Sequence, residues 1–343
     1  MKAIEFSAIG KAAIVQVSQP VPTAKQVLVA VKSAGICHSD IMAFNGQHPY
    51  RVPPVITGHE ASGVIAAVGK GVTAFNVGDR VAIEPHEGCG QCEFCRKGHY
   101  NVCPDKKLIG VGAWIGVFAE YVVAGEAMCH KMPDGMSHET GAMIEPYCVG
   151  LHAARRAGID GGDSVAVLGC GTIGMMTLIS VMQVDPGKVF VTDLSATKRD
   201  LAAALGVGSA VDPTEKDPVK FVHGSTGGEG VDYVFVTAPN KTVLNQALRM
   251  CKRRGRVILI ATIPGDTEIT TAEIQMHERT ILGSAMYDRK DYEIAIEQWR
   301  QNRLIAFEKL VSNRITIADA PVVISEMARG DRVEDIKNII HFD

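Results

Sequence analysis

Aromatic residues are scarce in this chain: Phe, Tyr and Trp make up 6% of its 343 residues. The net charge is only −3, with both signs mixed along the sequence. A basic patch interleaved with aromatics is therefore missing, and nothing suggests a nucleic-acid or anionic-membrane partner. No apolar run reaches the length that spans a bilayer. Met1-Lys2-Ala3-Ile4-Glu5-Phe6 lacks the charged-then-apolar pattern of a secretory signal and reads as a first strand. Low-complexity segments and internal repeats are also absent. The nine cysteines are an odd number, and five of them (Cys37, Cys129, Cys148, Cys170, Cys251) are scattered. That usage argues against a disulfide scaffold and for a reducing, cytoplasmic setting with metal ligation.

What remains is an ordinary globular composition, 46% hydrophobic and 21% charged, in a chain long enough for about two domains. Up to about residue 145 the texture is short β runs broken by Gly and Pro, such as Val27–Val31, Ala61–Val68, Arg80–Ile83 and Phe118–Val123. From Asp163 strands and helices alternate: Val165–Leu168, Thr172–Val184, Val189–Thr192, Ala196–Leu205, Val231–Val236, Lys241–Met250 and Val257–Ala261. Apolar strands separated by helices predict a parallel sheet covered on both faces. After Ser284 come two helical segments, Tyr292–Gln301 and Ala318–Arg329, and a last β run, Lys337–His341. This tail is too short to fold alone and is expected to complete the first domain.

Cys89, Cys92, Cys95 and Cys103 fall within fifteen residues, separated by Gly, Gln, Glu, Arg, Lys and His rather than by core residues. Four thiolates around a tetrahedral Zn²⁺ close its coordination shell, so this lobe reads as a structural site. An iron–sulfur cluster or two disulfides are the alternatives. The third gap departs from ferredoxin spacing, and zinc is favoured.

Gly169-Cys-Gly171-Thr172-Ile173-Gly174 lies between a predicted strand and a predicted helix, the context that a dinucleotide-binding loop requires. Its glycines allow close approach of a pyrophosphate to a helix N-terminus. Asp193 ends the next strand, where an acid would bind ribose hydroxyls and repel a 2′-phosphate. NAD is thus favoured over NADP, although Lys198 and Arg199 nearby weaken the preference. A tight turn beside a surface acid is the plainer alternative.

Cys37-His38-Ser39-Asp40, Gly58-His59-Glu60 and Ile144-Glu145-Pro146 are each ambiguous alone. Joined, they offer a thiolate, an imidazole and one or two carboxylates, and zinc on three protein ligands keeps a position open for substrate. Gly58-His59-Glu60-x2-Gly63-x5-Gly69-x2-Val72 resembles the signature of zinc-containing medium-chain alcohol dehydrogenases. The four-cysteine lobe, Gly78-Asp79-Arg80-Val81 and the glycine loop lie where that family would place them. Residues 144–156 and Val191–Thr197 look most like its sorbitol (polyol) dehydrogenase branch, with Glu145 near where liver-type enzymes carry a third cysteine ligand.

The resemblance implies an α/β protein: a Rossmann doubly wound parallel sheet plus a GroES-like β-rich catalytic domain carrying the zinc lobe. Residues 1–147 would form the catalytic domain (lobe at about 86–104), 148–285 the NAD-binding domain, and 286–343 the returning segment. It implies one structural and one catalytic Zn²⁺. The second would be held by Cys37 and His59 with Glu60 or Glu145, and would stabilise an alkoxide while hydride passes to the nicotinamide. Ser39 resembles the relay hydroxyl. The histidine many relatives carry three residues later is Met42 here, so His48 is a candidate replacement. Lys337 is placed with the coenzyme-binding residues, and Tyr287 and Arg289 with the substrate side or with an edge strand. A carboxylate in place of a thiolate makes a harder site, better suited to a polyol or sugar acid than to ethanol. The rival readings are an L-threonine-type amino alcohol dehydrogenase, a zinc-ribbon nucleic-acid module and a metal-free quinone-reductase relative. A homodimer or homotetramer is expected, built through edge strands near Thr280–Met286.

Overall fold

The computed structural model describes residues 1–304 and 306–342. The chain divides into two compact units, Met1–Glu145 with Asp288–Asp343, and Pro146–Tyr287.

In the first unit, strand Gln26–Gly35 is the hub of a seven-stranded sheet. It pairs antiparallel with Glu60–Val68, Tyr121–Gly125 and Lys337–His341. Arg80–Ile83 and Cys129–Lys131 extend the sheet on one side, and Val311–Thr316 on the other. Its β-branched residues suit a pleated surface buried on one side, and Val29, Val31, Ile65, Ile83, Phe118 and Ile340 sink into one core. The register brings Glu60 and Ile339 opposite Gly35, two residues before Cys37. Residues far apart in sequence therefore meet at one strand end. The last β run, Lys337–His341, lies between Val311–Thr316 and Gln26–Gly35, and Lys337 reaches the Ile36 carbonyl 301 residues away.

The second unit is a six-stranded parallel sheet. Taken in chain order, its strands are Val165–Leu168, Val189–Thr192, Ser209–Val211, Val231–Val236, Cys251–Leu259 and Thr280–Gly283, arranged in space 3-2-1-4-5-6. That is the doubly wound order, with its switch point between the first and fourth strands. All four residues of Val165–Leu168 are buried, as expected for a strand covered on both faces.

Several elements depart from the sequence reading. Ser209–Val211 and Val311–Thr316 are additional strands; the first is three residues long, and the second, VSNRIT, carries too little apolar periodicity to stand out. His138–Ala157 is one 20-residue helix with Pro146 inside it. The sequence reading named no element there; Pro146 lacks the N–H for the i−4 carbonyl, yet the helix continues through it. Arg289 begins helix Arg289–Arg300 instead of lying on an edge strand. Among the described residues, no helix is long and apolar enough to cross a membrane.

Candidate active site

Cys37 leaves strand Gln26–Gly35 and stands at the N-terminal boundary of helix His38–Phe44. His59 and Glu60 arrive on the antiparallel neighbour. Cys37, His59 and Glu60 each offer a ligand atom within 4.8 Å of the others. Glu145 is buried but outside this group.

Asp40 holds the arrangement together, and the sequence reading gave it no role. Its Oδ2 accepts the Cys37 N–H at 3.0 Å. Its Oδ1 accepts the Thr57 hydroxyl at 2.7 Å and the Gly58 N–H at 3.2 Å, and lies 3.5 Å from His59 Nδ1. One carboxylate thus ties the Cys37 turn to the His59 loop and orients the imidazole so that Nε2 is left for a metal, the usual support for a ligating histidine. Burial alone would raise the Asp40 pKa. The His59 ring, the Arg51 guanidinium and the Thr57 hydroxyl outweigh burial and hold the carboxyl well below the usual carboxylate range. The available signal was an acid three residues after Cys37, as in a capping box.

Glu60 folds across Gly35, where a Cβ would collide with its Oε2. Lys337 Nζ donates to Glu60 Oε1 at 2.8 Å and Oε2 at 2.6 Å, and to the Ile36 carbonyl at 3.2 Å. Burial opposes the ammonium charge, but Glu60, Cys37 and Glu145 hold its pKa above the ordinary value. The Lys337 ammonium, expected among the coenzyme-binding residues, directs its donors to the Glu60 carboxylate and to backbone. Each Glu60 oxygen retains a lone pair, so a thiolate, an imidazole and an oriented carboxylate remain, a donor set that fits Zn²⁺.

Ser39 Oγ accepts from Arg51 Nη1 at 3.0 Å. His48 is not its partner. The His48 Nδ1 is occupied by the Arg51 backbone N–H at 3.1 Å, and burial followed by the Arg51 charge pushes its pKa down to about 4. Arg51, 4% exposed, was missed because nothing in its local sequence marks it. Tyr287 is fully buried. The Arg289 guanidinium is spent on the Ala127 carbonyl and on Glu293.

Cys89, Cys92, Cys95 and Cys103 converge in the lobe, all as free thiols. Cys92 Sγ and Cys103 Sγ are 3.8 Å apart, about what two thiolates at ~2.3 Å from a tetrahedral zinc subtend and far beyond a disulfide bond. Backbone N–H groups point at three of the sulfurs: Cys92 N at Cys89, Cys95 N at Cys92, and Cys89 N at Cys103, each at 3.4 Å. The N–H groups of Gln91 and Cys92 draw the Cys89 thiol down to about 7, toward the thiolate that binds metal.

In the second unit the glycine loop leaves Val165–Leu168 with Gly169 at φ +103°, and Gly171 caps helix Thr172–Met182. A Cβ on Gly171 would meet no atom within 4 Å, whereas one on Gly174 would strike the Gly169 carbonyl. Open space over the helix start and tight packing behind it fit a pyrophosphate. Thr172 and Ile173 form the helix's first turn. Asp193 Oδ2 accepts the Cys170 N–H at 2.7 Å and Oδ1 the Ser195 N–H at 2.9 Å, which fixes the carboxylate beside the loop. The Lys198 N–H caps onto Ser195 Oγ at 3.1 Å. Arg199 is tied to Asp212 at 2.9 Å and to two carbonyls.

Comparison with known proteins agrees with this geometry. Residues 23–134 match the alcohol dehydrogenase GroES-like domain and residues 171–301 the zinc-binding dehydrogenase family. The chain is 36% identical to sorbitol dehydrogenase of Bacillus subtilis (strain 168), over 73% of this chain and 72% of the relative. It is 32% identical to 2-dehydro-3-deoxy-L-galactonate 5-dehydrogenase of Pseudoalteromonas atlantica, over 80% of each. Among solved structures, a Sinorhizobium meliloti 1021 protein described as a zinc-binding dehydrogenase, bound to NADP, superposes with a TM-score of 0.93 at 30% identity over 99% of both chains. The ligand group, the cysteine lobe and the doubly wound coenzyme unit occur in this chain together with those matches. It belongs to the zinc-containing medium-chain alcohol dehydrogenase family, in its sorbitol dehydrogenase-like branch, and is an oxidoreductase acting on CH–OH groups.

Proposed function

We propose that the protein oxidises a secondary hydroxyl of a polyol, sugar alcohol or sugar acid to a ketone, with NAD as hydride acceptor. In this reading Cys37, His59 and Glu60 hold the catalytic Zn²⁺, and the four lobe cysteines hold a structural one. The observation that carries it is the thiol, imidazole and carboxylate gathered within 4.8 Å, three protein donors that leave a coordination position for substrate. Bound Zn²⁺ would supply a Lewis acid for the substrate hydroxyl, and bound NAD⁺ a hydride acceptor.

The chain's own residues do the rest. Asp40 aims His59, and Lys337 fixes the orientation of Glu60 and neutralises part of its charge. Because Ser39 Oγ accepts from Arg51, its own O–H stays free to pass a proton, and the nearby cation favours the deprotonated hydroxyl. Glu145 lies outside the ligand group and serves the site through its charge near Lys337. The oxygen donor of Glu60 favours chelation by neighbouring hydroxyls, and relatives named for sorbitol and for a galactonate derivative support that substrate range.

Asp193 favours NAD, since a carboxylate there repels a 2′-phosphate and Arg199 is already paired with Asp212. The NADP-bound neighbour weighs on the other side. Among the described residues strand Thr280–Gly283 pairs on one side only, an edge through which two copies would form a dimer.

The test is NADH formation by zinc-replete protein from NAD⁺ and a panel of polyols, aldonic acids, L-threonine and simple alcohols. Turnover of a polyol or sugar acid, abolished by a chelator, supports the proposal. Turnover confined to L-threonine assigns an amino alcohol dehydrogenase instead, and much faster turnover of simple primary alcohols overturns the substrate argument.

A further inference from the structure

Arg51 is a cation buried at the catalytic centre without a counterion of its own. It is 4% exposed. Nη1 donates to Ser39 Oγ at 3.0 Å, and Ser39 stands two residues from Cys37. Buried Nε has no hydrogen-bond partner, and no carboxylate lies within ion-pair distance of the guanidinium among the described residues. Asp40, whose carboxyl feels the Arg51 charge, is already engaged with Cys37, Thr57, Gly58 and His59.

A buried, unpaired charge is costly, and holding Ser39 in place needs only one N–H, which a neutral amide could provide. A full guanidinium matters where an anion must be received. Its planar fork of donors matches the two oxygens of a carboxylate or phosphate, and each such hydrogen bond is strengthened by charge.

We propose that Arg51 recognises an anionic group on the substrate, so that the preferred substrate is a polyol carrying a carboxylate or a phosphate rather than a neutral sugar alcohol. This rests on the polyol reading above and narrows it. The side chain that steadies the relay hydroxyl would then also select the molecule whose proton that hydroxyl passes on.

The experiment compares sorbitol, gluconate and sorbitol 6-phosphate on the zinc-loaded wild-type enzyme and on Arg51→Lys and Arg51→Met. Saturation with NAD⁺ is measured for each, and binding of gluconate and of inorganic phosphate is titrated without coenzyme. Wild type should prefer one anionic probe, and which one tells carboxylate from phosphate. R51M should lose about a hundredfold more in kcat/KM on that probe than on sorbitol, largely through KM, with R51K recovering part of the loss. The coenzyme-free binding of the matching anion should weaken in parallel. Equal losses on charged and neutral probes would overturn the proposal and leave Arg51 as a support for Ser39. A rise confined to the KM for NAD⁺ would also overturn it, by making a coenzyme phosphate the counterion. Failure to oxidise any of the three probes would sink the polyol reading instead, while the coenzyme-free titrations would still decide the role of Arg51.

Discussion

Lys337 and Glu60, 277 residues apart in sequence, form an ion pair in which each side chain is 1% exposed and the shorter N–O distance is 2.6 Å. Removing one partner of such a pair strands the other charge in a medium that cannot solvate it. Lys337→Met should therefore cost about 3–5 kcal/mol of stability. The double variant Glu60→Gln/Lys337→Met should be more stable than Lys337→Met alone. Denaturant unfolding of the variants checks both, and additive losses would show that the pair is not coupled.

Asp40 should set the affinity of one zinc and not the other. Asp40→Asn keeps the shape but weakens the anchoring of His59, and the catalytic metal should bind about 10- to 100-fold more weakly. Cys103→Ser should instead empty the lobe and lower the zinc content from two ions per chain to one. Metal analysis during competition with a coloured chelator separates the two outcomes.

Asp193→Ser removes the acid beside the glycine loop. NAD should lose affinity by about tenfold or more, as one charge-assisted hydrogen bond is lost, and the preference between NAD and NADP should move toward NADP. Steady-state kinetics with both coenzymes reads this directly. Unchanged preference would mean that Asp193 serves only its bonds to Cys170 and Ser195.

Acid lability should arise from two histidines. Burial and then Arg51 hold His48 near 4, and burial with Arg80 and Lys32 holds His138 near 4, against an ordinary 6.5. Between those values the unfolded chain binds more protons than the folded one. Stability from these groups is complete above about pH 6.5 and is lost as pH falls toward 4. His48→Gln/His138→Gln should lose less stability than wild type over that window, measured by denaturant midpoints at successive pH values.

The parts of the site that were readable in the sequence are local. The cysteine lobe is one contiguous run, and the glycine loop fills a single strand-to-helix turn, so spacing alone carries their chemistry. The Cys37 and His59 segments became a site only when joined, and composition could not decide between Glu60 and Glu145. That choice depends on strand register, which sets Glu60 opposite a glycine with no Cβ to obstruct it. The pairing of Lys337 with Glu60 has no local signal, because it is set by a strand returning from the end of the chain. Arg51 lies on an irregular loop between helix His38–Phe44 and strand Glu60–Val68, where neither periodicity nor propensity says which way a side chain turns.

The most direct test of the account is Cys37→Ser, with zinc content, folding and NAD⁺-dependent polyol oxidation measured on one preparation. The variant should fold, keep the lobe zinc, lose the other and form no NADH. A variant with one zinc per chain and wild-type turnover would contradict it, because oxidation would then proceed without the metal that Cys37, His59 and Glu60 are placed to hold.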